Sequence, residues 1–342
     1  MSIKKLDQAA LDRWVDGLIE KQKVVGVKAK GDRFAFGELT SSSELRLDYD
    51  VTILPPKKFF LPQVEDLLTF QKDTGFESVI TQESVVLFGV HPYDTFAINQ
   101  LDILFSENNE DIHYKARREA TTIVACDVQA ASENVFAGCM GTATVDSGYD
   151  IMLTKINDEY LVDINTEKGE VLTHDLIDLP DATDNDLETR ERIRESNRKN
   201  LRKHELRPAV GYLPKLLGET YDHELWEEKA KLCFSCGSCN LVCPTCYCFD
   251  VQDDFNWDMS SGRRFRIWDG CMLANFATVA GNHNFRDDKA ARYRHRYLRK
   301  GKYIPEKIGQ IGCVGCGRCI TACVANIANP VEVYNRLAEG NE

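Results

Sequence analysis

Apolar residues recur at helical spacing near the start of the chain, where Leu6, Ala10, Leu11, Trp14, Leu18 and Ile19 predict an amphipathic helix over 6–23. Val24, Val25 and the run 27–36 then read as short strands interrupted by Gly26 and Gly31. The segment Pro55-Pro56-Lys57-Lys58-Phe59-Phe60-Leu61-Pro62 resists regular structure, because its prolines fix φ and remove donors, and is expected to be a packed interdomain loop. A helix over 63–72 follows. The apolar runs 84–90 and 121–126 predict buried strands; between them lie His91-Pro92-Tyr93-Asp94 and a helix over 95–104. These strand–helix units predict an α/β sheet with functional groups at the strand C-termini. Residues 149–153 and 160–164 predict antiparallel strands.

The pattern then changes. Charges of both signs crowd the stretch 178–203, which predicts an exposed helix laced by i,i+4 pairs and marks a domain boundary. The expected organisation is an α/β partner-docking domain over 1–180, a charged helical linker over 181–215, and a largely helical, ferredoxin-like domain over 216–342. In the last of these a helix over 222–232 leads in, an insertion over 244–312 contains a basic helix over 287–302, and a short helix near 331–337 closes the chain.

Length and charge narrow the function. The 342 residues have room for two domains and a sizeable core. A formal charge of −12 argues against nonspecific binding to nucleic acid or to an anionic membrane, both of which need basic surface. The first 30 residues have no signal-peptide core and no stretch is long and apolar enough to span a bilayer, so a cytoplasmic protein is expected. Paired catalytic carboxylates, a nucleophile–base arrangement and a GxGxxG loop are all missing, so no catalytic residue is assigned and a nucleotide or flavin is expected on another chain.

The chemistry lies in the cysteines. Cys233-x-x-Cys236-x-x-Cys239-x-x-x-Cys243-Pro244 and Cys313-x-x-Cys316-x-x-Cys319-x-x-x-Cys323 both have the bacterial ferredoxin spacing. In that motif three thiolates wrap one 4Fe–4S cubane and the fourth reaches across to the other. Cys233, Cys236, Cys239 and Cys323 are therefore assigned to one cluster, and Cys313, Cys316, Cys319 and Cys243 to a second. CxxC pairs also bind zinc, but a zinc ribbon gives no reason for two copies of the longer motif. Gly237, Gly315 and Gly317 let the backbone fold tightly around a cubane, and Phe234, Leu241, Val242, Val314 and Ile320 exclude water from it or serve as ordinary core.

Cys246, Cys248 and Cys271 remain. They read either as small buried hydrophobes or as three ligands of a third iron–sulfur cluster, whose fourth ligand would come from Cys126, Cys139 or His283. Arg263, Arg264, Arg266, Arg286, Arg292, Arg294, Arg296 and Arg299 make the insertion locally basic. They could offset cluster charge, receive an acidic partner, or form a solvated face. His91 and His283 could be ligands, proton carriers or structural groups.

Taken with Cys243-Pro-Thr-Cys-Tyr-Cys-Phe-Asp250, Trp268-Asp-Gly-Cys271, Gly281-Asn-His-Asn-Phe-Arg286 and Cys313-Val-Gly-Cys-Gly-Arg-Cys319, the chain resembles the iron–sulfur β subunits of cytoplasmic sulfhydrogenases and the related iron–sulfur subunit of anaerobic sulfite reductase. The resemblance continues through Leu54-Pro-Pro-Lys-Lys-Phe-Phe60, Phe88-Gly-Val-His91 and Tyr114 to Arg118. It implies an electron-transfer subunit between a flavin subunit that exchanges electrons with NAD(P)H and a catalytic subunit whose substrate is protons, sulfur species or a disulfide. A reductase working at its own incompletely ligated cluster is the alternative. Relative to that family, Tyr93 and the run Val135-Phe136-Ala137 stand where cysteines occur, which speaks against a separate N-terminal cluster, and Val324 replaces a proline.

Overall fold

The computed structural model describes residues 3–176 and 179–339; the charged stretch read from Asp178 thus begins on a residue outside that range. Strand β1 (Lys4–Asp7) precedes helix α1 (Gln8–Lys21), whose N-terminus is capped by Asp7 accepting from the Ala10 N–H at 2.7 Å. Leu6 is therefore a buried strand residue rather than the first helical one. Strands β2 (Lys23–Lys30) and β3 (Arg33–Glu38) form a hairpin. Further along come β4 (Val64–Gln71), β5 (Gly75–Ser78), β6 (Val85–Val90), β7 (Thr121–Cys126), β8 (Ile151–Ile156) and β9 (Glu159–Ile164).

A seven-stranded sheet has the order β1-β9-β8-β7-β6-β2-β3. Its centre is parallel, β2 beside β6 beside β7 beside β8, and both edges are antiparallel. The central strands are buried on both faces, which explains their unbroken apolar runs. From β6 to β7 the chain crosses through α2 (Pro92–Ser106) and α3 (Ile112–Ala120), the latter not anticipated from the sequence pattern. The C-terminal end of β6 delivers His91, Tyr93 and Asp94 into the interior.

The segment 63–72 is strand β4, not a helix. It pairs with β11 (Ser261–Trp268), which pairs with β10 (Phe249–Phe255), giving a second sheet of order β10-β11-β4-β5. Tertiary pairing here overrides local propensity. Glu65 is buried because it is bonded by Arg266 at 2.6 Å and by Arg117 at 2.7 Å. Residues 249–255 and 261–268 lie within the insertion, so the region after 216 is mixed α and β rather than largely helical, and the insertion shares a sheet with the first half of the chain. Helices Leu213–Glu219, Leu225–Leu232, Lys289–Leu298 and Pro330–Glu339 pack a separate apolar cluster around Trp226, Tyr293, Tyr297 and Tyr334.

The charged helix is Asp184–Asn200, opened by a capping box between Thr183 and Asp186. Glu195 pairs with both Arg198 and Lys199, while Arg194 turns inward to Asp127 at 3.3 Å. Among the described residues no helix is long and apolar enough to cross a membrane.

Candidate metal centres

The two cysteine runs have matching backbones. Ser235 and Gly237 in the first, and Gly315 and Gly317 in the second, take φ of 52°, 74°, 68° and 79°. A short helix follows each, Ser238–Leu241 and Arg318–Thr321, and the two helices pack against each other. Glycine suits these left-handed positions, and at Gly317 a Cβ would also lie 2.4 Å from the Asn134 carbonyl oxygen. The Ser235 N–H donates to Cys233 Sγ at 3.4 Å, and the Gly315 N–H makes the equivalent bond to Cys313.

Four thiols line each of two cavities. Cys233, Cys236, Cys239 and Cys323 share one with Phe234, Met272, Tyr293 and Val324. Cys243, Cys313, Cys316 and Cys319 share the other with Phe136, Pro244, Arg296, Lys300 and Tyr334. In both cases the fourth thiol comes from the other run. Among the described residues no three His, Cys, Asp or Glu side chains are gathered tightly around one point.

The cavities differ in depth. Cys236 is exposed, and Phe234 and Val324 beside it are 71% and 82% exposed. Cys316 and Cys319 are buried. A loop from the first half covers them: the Phe136 N–H donates to Gly315 O at 2.7 Å, and Thr142 Oγ1 donates to Val314 O at 2.6 Å. Burial pushes the Cys239 and Cys313 thiols up to about 12, so a metal must displace their protons to bind. At the more open site, hydrogen bonds from Ser238 hold the Cys236 thiol below its ordinary range.

Three cations point at this sulfur-rich interior. Lys57, Arg296 and Lys300 are at most 6% exposed, and none has a carboxylate partner among the described residues. Thiols stand close to each: Cys239, Cys319 and Cys243 to Arg296, alongside Tyr297; Cys243, Cys246 and Cys313 to Lys300, with Arg296 also near it; and Cys246, Cys243 and Cys248 to Lys57, with Lys300 also near it. A buried cation without a counter-charge is costly. Thiolate-ligated iron–sulfur clusters would supply that counter-charge, and the donor set fits them.

The remaining cysteines of the insertion come to one neighbourhood beside the second cavity. Asn240 Nδ2 donates to Cys246 Sγ at 3.6 Å and to Cys271 Sγ at 3.5 Å, and Asn240 Oδ1 accepts from the Met272 N–H. Gly270 permits this approach, since a Cβ there would lie 2.9 Å from the Asn240 side chain. Cys271 is pushed up by burial and then by nearby Cys248, and Cys246 is in contact with Cys243. The outside donors have other neighbours. Cys126 lies in the sheet core beside Asp127, the Cys139 thiol donates to His204 O at 3.3 Å, and exposed His283 packs on Phe285.

Other singled-out residues have structural partners. His91 stacks on Tyr49 at 3.9 Å and bonds Tyr93 Oη through Nδ1 at 2.7 Å. Arg264 and Arg266 pair with Asp253 and Glu65, and Arg292 donates to the carbonyls of Arg286 and Asp287. The sequence reading missed Lys57, Asn240 and Lys300. Lys57 sat in a segment read only as a packed loop, yet its Nζ donates to Cys246 O at 2.6 Å and lies 4.2 Å above the Trp268 ring. Its basic, proline-rich setting was the one available signal.

A family model for the 4Fe-4S dicluster domain matches residues 232–327. The chain is 34% identical over 343 residues to sulfhydrogenase 2 subunit beta of Pyrococcus furiosus, an alignment covering 99% of this chain and 99% of that one. No solved structure matches it significantly. Alignable with its relative along almost its whole length at 34% identity, and with a dicluster domain at its C-terminal end, the chain belongs to the family of sulfhydrogenase β subunits.

Proposed function

We propose that this chain relays electrons through 4Fe–4S clusters between a subunit that binds FAD and NAD(P)H and a catalytic oxidoreductase subunit, such as a hydrogenase, a sulfite or sulfur reductase, or a disulfide reductase. The observation that carries the reading is the pair of four-thiol cavities joined through packed helices, one with the exposed thiol of Cys236 and one with the buried thiols of Cys316 and Cys319. Cys233, Cys236, Cys239 and Cys323 would hold one cluster and Cys243, Cys313, Cys316 and Cys319 the other. When bound, such clusters supply one-electron chemistry at potentials set by burial and by N–H donors to sulfur. The Ser235 and Gly315 amides are such donors, and Phe136, Met272, Tyr293 and Tyr334 keep water from the thiols. In this reading residues 1–180 dock a partner, 181–215 link, 216–342 carry the relay, and the complex works in the cytoplasm.

The isolated chain, loaded with iron and sulfide under anaerobic conditions, is expected to hold about eight iron atoms in its two main clusters. It should exchange electrons with viologen dyes yet turn over no proton, sulfite or polysulfide until flavin and catalytic subunits are added. Substrate turnover by the flavin-free chain alone would instead assign a reductase to the group around Cys246, Cys248 and Cys271.

Cys246 and Cys271, both bonded by Asn240, and Cys248 near Cys271, support a third cluster beside the second cavity. A Cys248→Ala, Cys271→Ala double variant is then expected to lose only the iron and the spin signal in excess of two clusters. If it keeps every iron atom and every signal, the trio is core and the relay has two stations.

A further inference from the structure

The second sheet is held to the body at one end. There Glu65 and Arg266 are buried, bonded to each other and reaching Arg117 and Phe105. Towards the other end every residue of β5, and every residue of β10 but Phe249, is exposed. The β4–β5 and β10–β11 turns meet at that end, where the Lys72 N–H donates to Ser260 O at 2.8 Å.

A row of aromatic rings crosses this free end. Phe255 on β10 stands opposite Gly262 on β11, Gly262 opposite Phe70 on β4, and Phe70 opposite Phe76 on β5. Directly opposed residues of antiparallel strands share a face, so the three rings lie on one. Gly262 leaves them room. A Cβ there would lie 2.5 Å from the Phe70 ring, and the Phe70 and Phe255 rings meet edge to face at 5.1 Å. Phe76 is 80% exposed and Phe255 52%; the turn after Phe255 adds Met259 at 71% and Trp257, which is fully exposed. Four large apolar side chains left to water at one end of one sheet exceed the single exposed residues normal for a surface.

We infer that this free end is a docking surface for another subunit, of different sequence, which offers an apolar pocket rimmed by lysine or arginine. Large rings make good anchors, because they bury much area at little cost in side-chain freedom. The rim follows from charge. Asp73 and Asp258 in the two turns and Glu77 on β5 are exposed, and none forms an ion pair among the described residues; against them stands Lys72. A second copy of this chain would bring the same acids into opposition, and an anionic bilayer would repel them, whereas a basic rim is drawn in. The inference rests on the reading above in one respect, that the chain works beside other subunits; it requires no particular path for the electrons.

The test starts from the intact complex, purified anaerobically through a tag on this chain, with Trp257 replaced by photoreactive p-benzoylphenylalanine. Light is expected to join position 257 to one other polypeptide of the complex. An adduct to a second copy of this chain, to lipid, or to nothing would overturn the inference. The polypeptide so identified is then titrated with the iron-loaded full chain. Trp257→Ser with Phe76→Ser is expected to weaken binding by about thirtyfold or more, as the loss of interface anchors does. Asp73→Lys with Asp258→Lys should slow association about tenfold in low salt. Iron content and thermal midpoint should stay at parent values in both variants, since all four side chains are exposed. Binding of the aromatic variant within about threefold of the parent would overturn the inference. So would association of the charge variant at the parent rate or faster. Iron for fewer than two clusters in a chain that still crosslinks defeats the relay reading and leaves the docking surface supported.

Discussion

Replacing Cys323 by alanine is expected to cost the chain the cluster of Cys233, Cys236 and Cys239 while sparing the cluster of its own run. The reason is geometric: Cys323 lines the cavity of the first run, and Cys243 lines that of the second. Iron should fall by about four atoms per chain. The resonance of the reduced protein should lose the splitting that two neighbouring reduced clusters give each other. Cys243→Ala should do the converse, removing the cluster of Cys313, Cys316 and Cys319. Loss confined to the run that carries the substituted cysteine would show uncrossed ligation.

Arg318→Met is expected to lower stability by about 3–5 kcal/mol, because it strands a buried carboxylate. Arg318 stands inside the second cysteine run and reaches Asp94, in the first turn of α2 just beyond β6, through two bonds of 2.6 Å. It also donates to Thr52 O at 2.8 Å and Thr52 Oγ1 at 2.9 Å. Asp94 is fully buried and Arg318 is 3% exposed, so water cannot replace the lost partner. Removing both charges, as Arg318→Met with Asp94→Leu, should recover much of the loss, since a buried pair is often exchangeable for apolar packing. Denaturant midpoints compared at equal iron loading provide the measurement, because bound clusters stabilise by mass action. A single variant within about 1 kcal/mol of the parent would refute the prediction.

What could be read from sequence followed from how local the stabilising interactions are. The central strands β6 and β7 announce themselves because both faces are buried, and the cysteine runs because a cubane imposes a short spacing. Strand β4 gave no such sign. Its sequence, Val64-Glu-Asp-Leu-Leu-Thr-Phe-Gln71, becomes a strand only beside β11, and Glu65 tolerates burial only beside Arg266 and Arg117. The same holds at the site. The thiols were found by pattern, whereas Lys57 acquires its role from Cys246, 189 residues further on, and Asn240 acquires half of its role from Cys271, 31 residues further on.

The pairing of β4 with β11 has a consequence for the chain during its synthesis. Glu65 and Arg266 are 201 residues apart. At a translation rate of about 5–20 residues per second, β4 leaves the ribosome roughly 10–40 s before its partner exists. For that interval its hydrogen-bonding edge is open to any passing strand. The adjacent acidic pair Glu65 and Asp66 makes that waiting edge a poor template for aggregation, until Arg266 and Arg263 arrive to neutralise it.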